Sequence, residues 1–145
     1  PATNVLVMAA AVADYRPANP MHKKLNKTPG ALELELERTE DILATCANRP
    51  GREDKMLVGF AAETHDLEDR ARGKLEDKGL DWIVANDVSA SGIGFGTGDN
   101  AGALMGRNGQ TFAIDRCPKA AFATQIVEHL ANDLRAHVNR SGESE

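Results

Sequence analysis

The chain has 145 residues, a formal net charge of −5, 41% hydrophobic and 27% charged residues. That size and mix describe one soluble globular domain able to bury its own core without disulfide staples. The acidic balance argues against non-specific nucleic-acid binding, and no apolar run reaches the roughly 18 residues of a membrane span. Two cysteines, Cys46 and Cys117, form no Cys-x-x-Cys pair and have no metal spacing with histidine. Both fall in segments read as helical and are expected to be small buried thiols, in a reduced, cytoplasmic chain.

The first strand is expected over residues 4–10, an apolar run that ends in small residues and then in Asp14, Tyr15 and Arg16. In an open α/β sheet, ligands sit outside the carboxyl ends of such strands, so this exit is either a ligand floor or a strand followed by a solvated turn. Pro17, Pro20, Pro29 and Gly30 make 16–30 an irregular loop, which carries His22, Lys23, Lys24 and Lys27. A solvated basic loop is the plain reading of that cluster. Residues 31–38 alternate, with Leu32, Leu34 and Leu36 on one face and Glu33, Glu35 and Glu37 on the other; this predicts a half-exposed strand in an edge or flap.

Thr39 is the expected N-cap of a helix running to about Asn48, with Glu40 and Asp41 in its first turn. Residues 55–64 repeat the pattern of the first strand and end on Glu63. Gly59 within that run suggests close approach of a backbone or ligand, and Phe60 reads as core filler or as a stacking surface for a base. From Asp66 to about Lys78 a helix carries Leu67, Ala71 and Leu75 on one stripe, with Asp66 as cap, Lys74 and Lys78 near the end and Gly79 as terminator. Residues 80–87 form a third buried strand. Three strand–helix repeats predict right-handed crossovers and a mainly parallel sheet.

Gly92, Gly94, Gly96 and Gly98 make 89–100 a glycine-rich loop, but no helical pattern follows, so it is not a dinucleotide fingerprint. Strands at 101–106 and 110–114 flank an Arg-Asn-Gly turn and predict a hairpin. A closing helix after Pro118 carries Phe122, Ile126, Leu130 and Leu134, with Ala123 and Val127 beside them. The expected domain is 1–139, with 140–145 a polar tail. No Ser-His-Asp set or paired carboxylates stand out; the best constellation is three lysines, Lys24, Lys74 and Lys78, suited to a triphosphate.

Six segments, in order, resemble bacterial phosphopantothenoylcysteine synthetase. They are residues 10–16 (Ala-Ala-Val-Ala-Asp-Tyr-Arg), 24–27 (Lys-Leu-Asn-Lys), 40–43 (Glu-Asp-Ile-Leu), 58–64 (Val-Gly-Phe-Ala-Ala-Glu-Thr), the pair Lys74 and Lys78, and 85–88 (Ala-Asn-Asp-Val). The resemblance implies a Rossmann-like sheet and a homodimer. It implies a ligase that activates the carboxylate of 4′-phosphopantothenate with CTP and Mg²⁺ and couples the acyl-cytidylate to the amine of cysteine. That domain is usually fused to a flavin-dependent decarboxylase. Position by position, Met8, Ala9, Ala10 and Asp14 match the nucleotide floor, with Asp14 the candidate metal ligand. Lys24 matches the catalytic loop lysine. Glu40, Asp41, Ile42 and Leu43 match the segment that reads cytosine, and Phe60, Lys74 and Lys78 match further nucleotide contacts. Two departures stand out. The family commonly has Asn-Pro where this chain has Thr39-Glu40, and the family's glycine-rich N-terminal segment is not found. The chain is therefore expected to be a fragment of a longer domain. Two other readings stay open: a nucleotide-binding or dimerisation module without turnover, and an unrelated Rossmann-like oxidoreductase domain.

Overall fold

The computed structural model describes residues 3–10, 12–21, 23–26, 29–63, 66–87 and 98–142. The glycine-rich segment at 89–97 and the tail from 143 lie outside them. Among the described residues a five-stranded sheet has the order β1-β4-β5-β6-β7, and a separate two-stranded ribbon pairs β2 with β3. The strands are β1 (Val5–Met8), β2 (Tyr15–Pro17), β3 (Leu36–Arg38), β4 (Met56–Glu63), β5 (Trp82–Asp87), β6 (Asp99–Gly106) and β7 (Thr111–Pro118). The helices are α1 (Ile42–Ala47), α2 (Leu67–Asp77) and α3 (Lys119–Gly142). β1, β4 and β5 run parallel, while β6 and β7 add antiparallel to β5. This is the expected Rossmann-like α/β architecture with a C-terminal hairpin.

Alternation along the strands sends side chains to two cores. On one face Leu57, Ala61, Ile83 and Ala85 meet Leu43 of α1 and Ala71 and Leu75 of α2. On the other, Val58, Trp82, Val84 and Leu104 meet Phe122, Ile126 and Leu130 of α3, the expected stripe. Trp82 Nε1–H donates to Asp133 Oδ2 at 2.9 Å, so the indole satisfies its one donor while its ring is buried. Ala123 and Val127, placed beside that stripe by the sequence, are exposed.

α2 ends as its glycine predicts. Gly79 has φ +62°, its N–H bonds Glu76 O at 3.1 Å, and Leu80 N–H bonds Leu75 O at 3.0 Å. This left-handed glycine cap leaves Leu80 buried and turns the chain straight into β5. Asp81, at that turn, accepts from Leu57 N–H and from the Arg52 guanidinium, both at 2.7 Å, and so ties the starts of β4 and β5 together.

Several expectations are corrected. β1 stops at Met8 and does not extend to residue 10. Of the alternating segment at 31–38, only Leu36–Arg38 is strand, and Leu32, Leu34 and Leu36 are 64%, 58% and 54% exposed. Alternation alone does not bury a face; this ribbon has a single partner strand and nothing packed over its leucines among the described residues. Asp41, not Thr39, caps α1: its side chain accepts from Ala44 N–H at 3.0 Å. Thr39 is otherwise engaged, its hydroxyl donating to Ala13 O and its N–H to Asp14 O. Asp66 makes no side-chain cap and sits in the left-handed region at φ 50°. The space beside Gly59 belongs to core side chains: an added Cβ would lie 2.7 Å from Leu80 Cδ1 and 3.3 Å from Leu43 Cδ1. Cys117 lies in β7 rather than in a helix, and both cysteines are half-buried.

Candidate active site

Three short pieces of chain converge at the carboxyl end of β1. β1 delivers Met8. The chain then leaves the sheet, and Asp14 and Tyr15 begin the ribbon. The ribbon returns through Arg38 and Thr39 to the first residues of α1. The two bonds from Thr39 to the 13–14 backbone fix the return directly beside the exit. A cleft of about 350 Å³ lies between these pieces. Its apolar wall is Met8, Val12, Ile42, Leu43 and Phe60. Its polar wall is Asp14, Tyr15, Arg38, Glu40, Asp41 and Lys78, with Thr39 between.

The electrostatics centre on Asp41. Lys78 Nζ lies 2.9 Å from Asp41 Oδ2, while Oδ1 accepts the α1 backbone bond. The Ala44 N–H first, and then Lys78, hold the Asp41 carboxyl below its ordinary value of 3.8. Its stabilising effect is therefore fully present above that value and is lost as the pH falls through the lower folded one. Both side chains are well exposed, at 38% for Lys78 and 46% for Asp41, so solvent screens the pair. Asp41→Asn keeps an N-cap residue of equal quality but loses the ion pair. It is expected to lower stability by less than about 1 kcal/mol at neutral pH. The difference from wild type should vanish in acid, and urea unfolding across pH checks it; a gap that widens as pH falls would contradict this assignment.

Eight of the residues selected from the sequence therefore meet in one place: Met8, Asp14, Glu40, Asp41, Ile42, Leu43, Phe60 and Lys78. Ala9 and Ala10 are exposed just past the end of β1 and do not line the cleft. Lys24 is exposed in the loop between β2 and β3, and Lys74 is exposed in the last turn of α2; neither lines the cleft. Of the three lysines, Lys78 lines the cleft, and it is paired with Asp41. Val12, Tyr15 and Arg38 line it without having been assigned a role. For Arg38 a signal existed, because the alternation at 31–38 puts it on the leucine face, where a cation is out of place. Val12 and Tyr15 lie within the 10–16 segment that carries the resemblance.

The composition of the cleft suits a ligand with a flat, weakly polar part and a charged part. Phe60 lines the apolar wall and also packs against the core on the α3 side, and the polar wall offers carboxylates and cations. Among the described residues no group of three or more His, Cys, Asp or Glu side chains could hold a metal ion. No helix among them is long and apolar enough to cross a membrane.

Residues 1–134 match the model of the DNA/pantothenate metabolism flavoprotein C-terminal domain. The chain belongs to this family. Curated relatives are called coenzyme A biosynthesis bifunctional protein CoaBC. The protein of Bacillus subtilis is 39% identical over 130 residues, covering 90% of this chain and 32% of the relative. That of Mycolicibacterium smegmatis is 41% identical over 147 residues, covering 94% and 35%. The chain thus spans about a third of the length of these relatives. A solved CoaBC C-terminal domain superposes with a TM-score of 0.70 at 31% identity, over 92% of this chain and 56% of that one. A Streptococcus pneumoniae DNA/pantothenate metabolism flavoprotein shares the fold at a TM-score of 0.64 and 23% identity.

Proposed function

We propose that the chain is the nucleotide-binding part of a phosphopantothenate–cysteine ligase of coenzyme A synthesis. The carrying observation is the cleft itself: the segments that resemble the ligase at 10–16, 40–43 and 58–64 are far apart in sequence and line one cavity. The cytosine lies against the apolar wall of the cleft, beside the start of α1. CTP activates the carboxylate of 4′-phosphopantothenate: a carboxylate oxygen bonds to the α-phosphorus and pyrophosphate leaves. The amine of cysteine then attacks the acyl carbon, CMP leaves, and the amide remains. Lys24, carried by the loop, stabilises the charge that develops on the phosphate and acyl oxygens. Ala9, Ala10 and Lys74 take positions around the triphosphate.

The ligase uses Mg²⁺. Magnesium is commonly held by one or two carboxylates, with phosphates and water completing its shell, so a full protein cage is not required. Asp14 fits that demand, since its carboxylate lies on the cleft wall. When bound, the ion neutralises phosphate charge. The protein is cytoplasmic and works as a homodimer, a reading supported by the exposed leucines of the 31–36 segment. A fused flavin-dependent decarboxylase fits the bifunctional relatives.

The test is calorimetric titration with CTP and Mg²⁺, with ATP and NAD as controls, alongside assay of amide formation. Selective binding of CTP with amide formation is the expected result. Binding without amide formation would make this chain a nucleotide-binding module, a second reading favoured by Lys24 and Lys74 lying outside the cleft. Preference for NAD would overturn both.

A further inference from the structure

We infer that Arg38 is a phosphate-binding residue of the cleft. The inference rests on the nucleotide reading above. It starts from the ribbon's register, in which Tyr15 pairs with Arg38 and Arg16 with Glu37. Side chains of paired residues share a face, so the ribbon has two charged faces of different character. On the outer face Arg16 Nε meets Glu37 Oε1 at 2.7 Å, a self-compensated pair. On the inner face Tyr15 and Arg38 both line the cleft. The Arg38 guanidinium has no side-chain hydrogen bond or ion pair among the described residues, although Asp14, Glu40 and Asp41 line the same cavity.

The charge balance sharpens the point. The cleft walls carry three carboxylates and two cations, and one of those cations, Lys78, is committed to Asp41. A phosphorylated ligand entering this cavity meets more negative than positive charge. The guanidinium is the cation there whose donors are uncommitted, and its planar fork matches two phosphate oxygens at once. Arg38 also immediately precedes the Thr39 anchor, so its backbone is fixed relative to the start of α1. Little ordering remains to be done when an anion arrives.

Two phosphates could take this place: those of the nucleotide and the monoester of the acyl substrate. The experiment separates them in the full-length protein. Affinities for CTP, cytidine, 4′-phosphopantothenate and pantothenate are measured for wild type, Arg38→Gln, Arg38→Lys and Arg16→Gln. In wild type each phosphorylated ligand should bind more tightly than its dephosphorylated partner. Arg38→Gln should lose about tenfold or more for CTP or for 4′-phosphopantothenate, with little change for the dephosphorylated partner. The compound affected names the phosphate. Arg38→Lys should recover part of the loss, and Arg16→Gln, which breaks the outer pair, should behave as wild type. CTP binding by Arg38→Gln equal to wild type, with phosphopantothenate also unchanged, would overturn this inference alone. Equal losses for phosphorylated and dephosphorylated ligands would overturn it too, by pointing to a disturbed ribbon. Wild-type protein that binds none of the four would overturn the nucleotide reading and this inference with it.

Discussion

Gly102→Ala is expected to destabilise the fold by at least about 3 kcal/mol, enough to consume a large share of a typical domain's stability. Gly102 lies in β6 opposite Asn86 of β5, next to an irregularity in the β6–β7 register. A Cβ there would sit 2.0 Å from Ala85 O and 3.2 Å from Asn86 Cα. Those are backbone atoms of a central strand, not the end of a side chain that can rotate away. Relief requires β5 and β6 to separate, which stretches ladder bonds where Ala85 and Ala103 are both buried. Gly109→Ala is the matched control. That turn residue has φ +86° and open space around it, so only the left-handed backbone penalty of roughly 1–2 kcal/mol applies. Urea unfolding of both variants decides the matter; equal losses would mean that the sheet gives way at Gly102 at little cost.

The parts of this fold that were legible share one property: their pattern is enforced from two sides. β4 and β5 read as buried strands because helices cover both faces of the sheet, so nearly every position is apolar. The α3 stripe of Phe122, Ile126 and Leu130 read correctly because one sheet face dictates it. The end of α2 was legible from Gly79 alone, since the left-handed cap needs that residue.

What failed was decided by contacts distant in sequence. Thr39 and Asp41 are both good capping residues, and the choice fell to Asp41 because the ribbon's closing bonds occupy Thr39. Cys117, expected in a helix, lies in β7. β7 is the last strand of the sheet, and a proline at the end of an edge strand removes no needed donor. The leucines of 32–36 alternate as though buried but have no cover among the described residues. Within the site, the eight residues that converge are those whose backbone belongs to β1, the entry to the ribbon, β4, the ribbon–α1 turn with the start of α1, or the α2 cap. Lys74 and Lys78 are spaced as neighbours on a helix, yet α2 ends at Asp77 and Lys78 turns toward Asp41. Arg38 was passed over because a charge at a strand end is ordinarily solvated.

Lys24→Gln is expected to abolish amide formation by the full-length protein without disturbing its fold. Lys24 is exposed and has no side-chain partner among the described residues, so its loss should change stability by no more than about 0.5 kcal/mol. Its effect on rate should be large. Removing one donor aimed at developing oxyanion charge typically costs about 10²–10³ in turnover. The measurement is product formation from CTP, 4′-phosphopantothenate and cysteine, with thermal unfolding as the control for folding. Pyrophosphate release and amide formation should be followed separately. Loss of both places Lys24 in the first step, at the α-phosphate. A retained single turnover of pyrophosphate with no amide places it in the second, at the acyl carbon. Lys24→Arg keeps the charge but replaces a compact ammonium with a broad planar fork, so it should restore only part of the rate. Wild-type turnover in Lys24→Gln would remove the loop from the chemistry and leave the cleft residues to carry it.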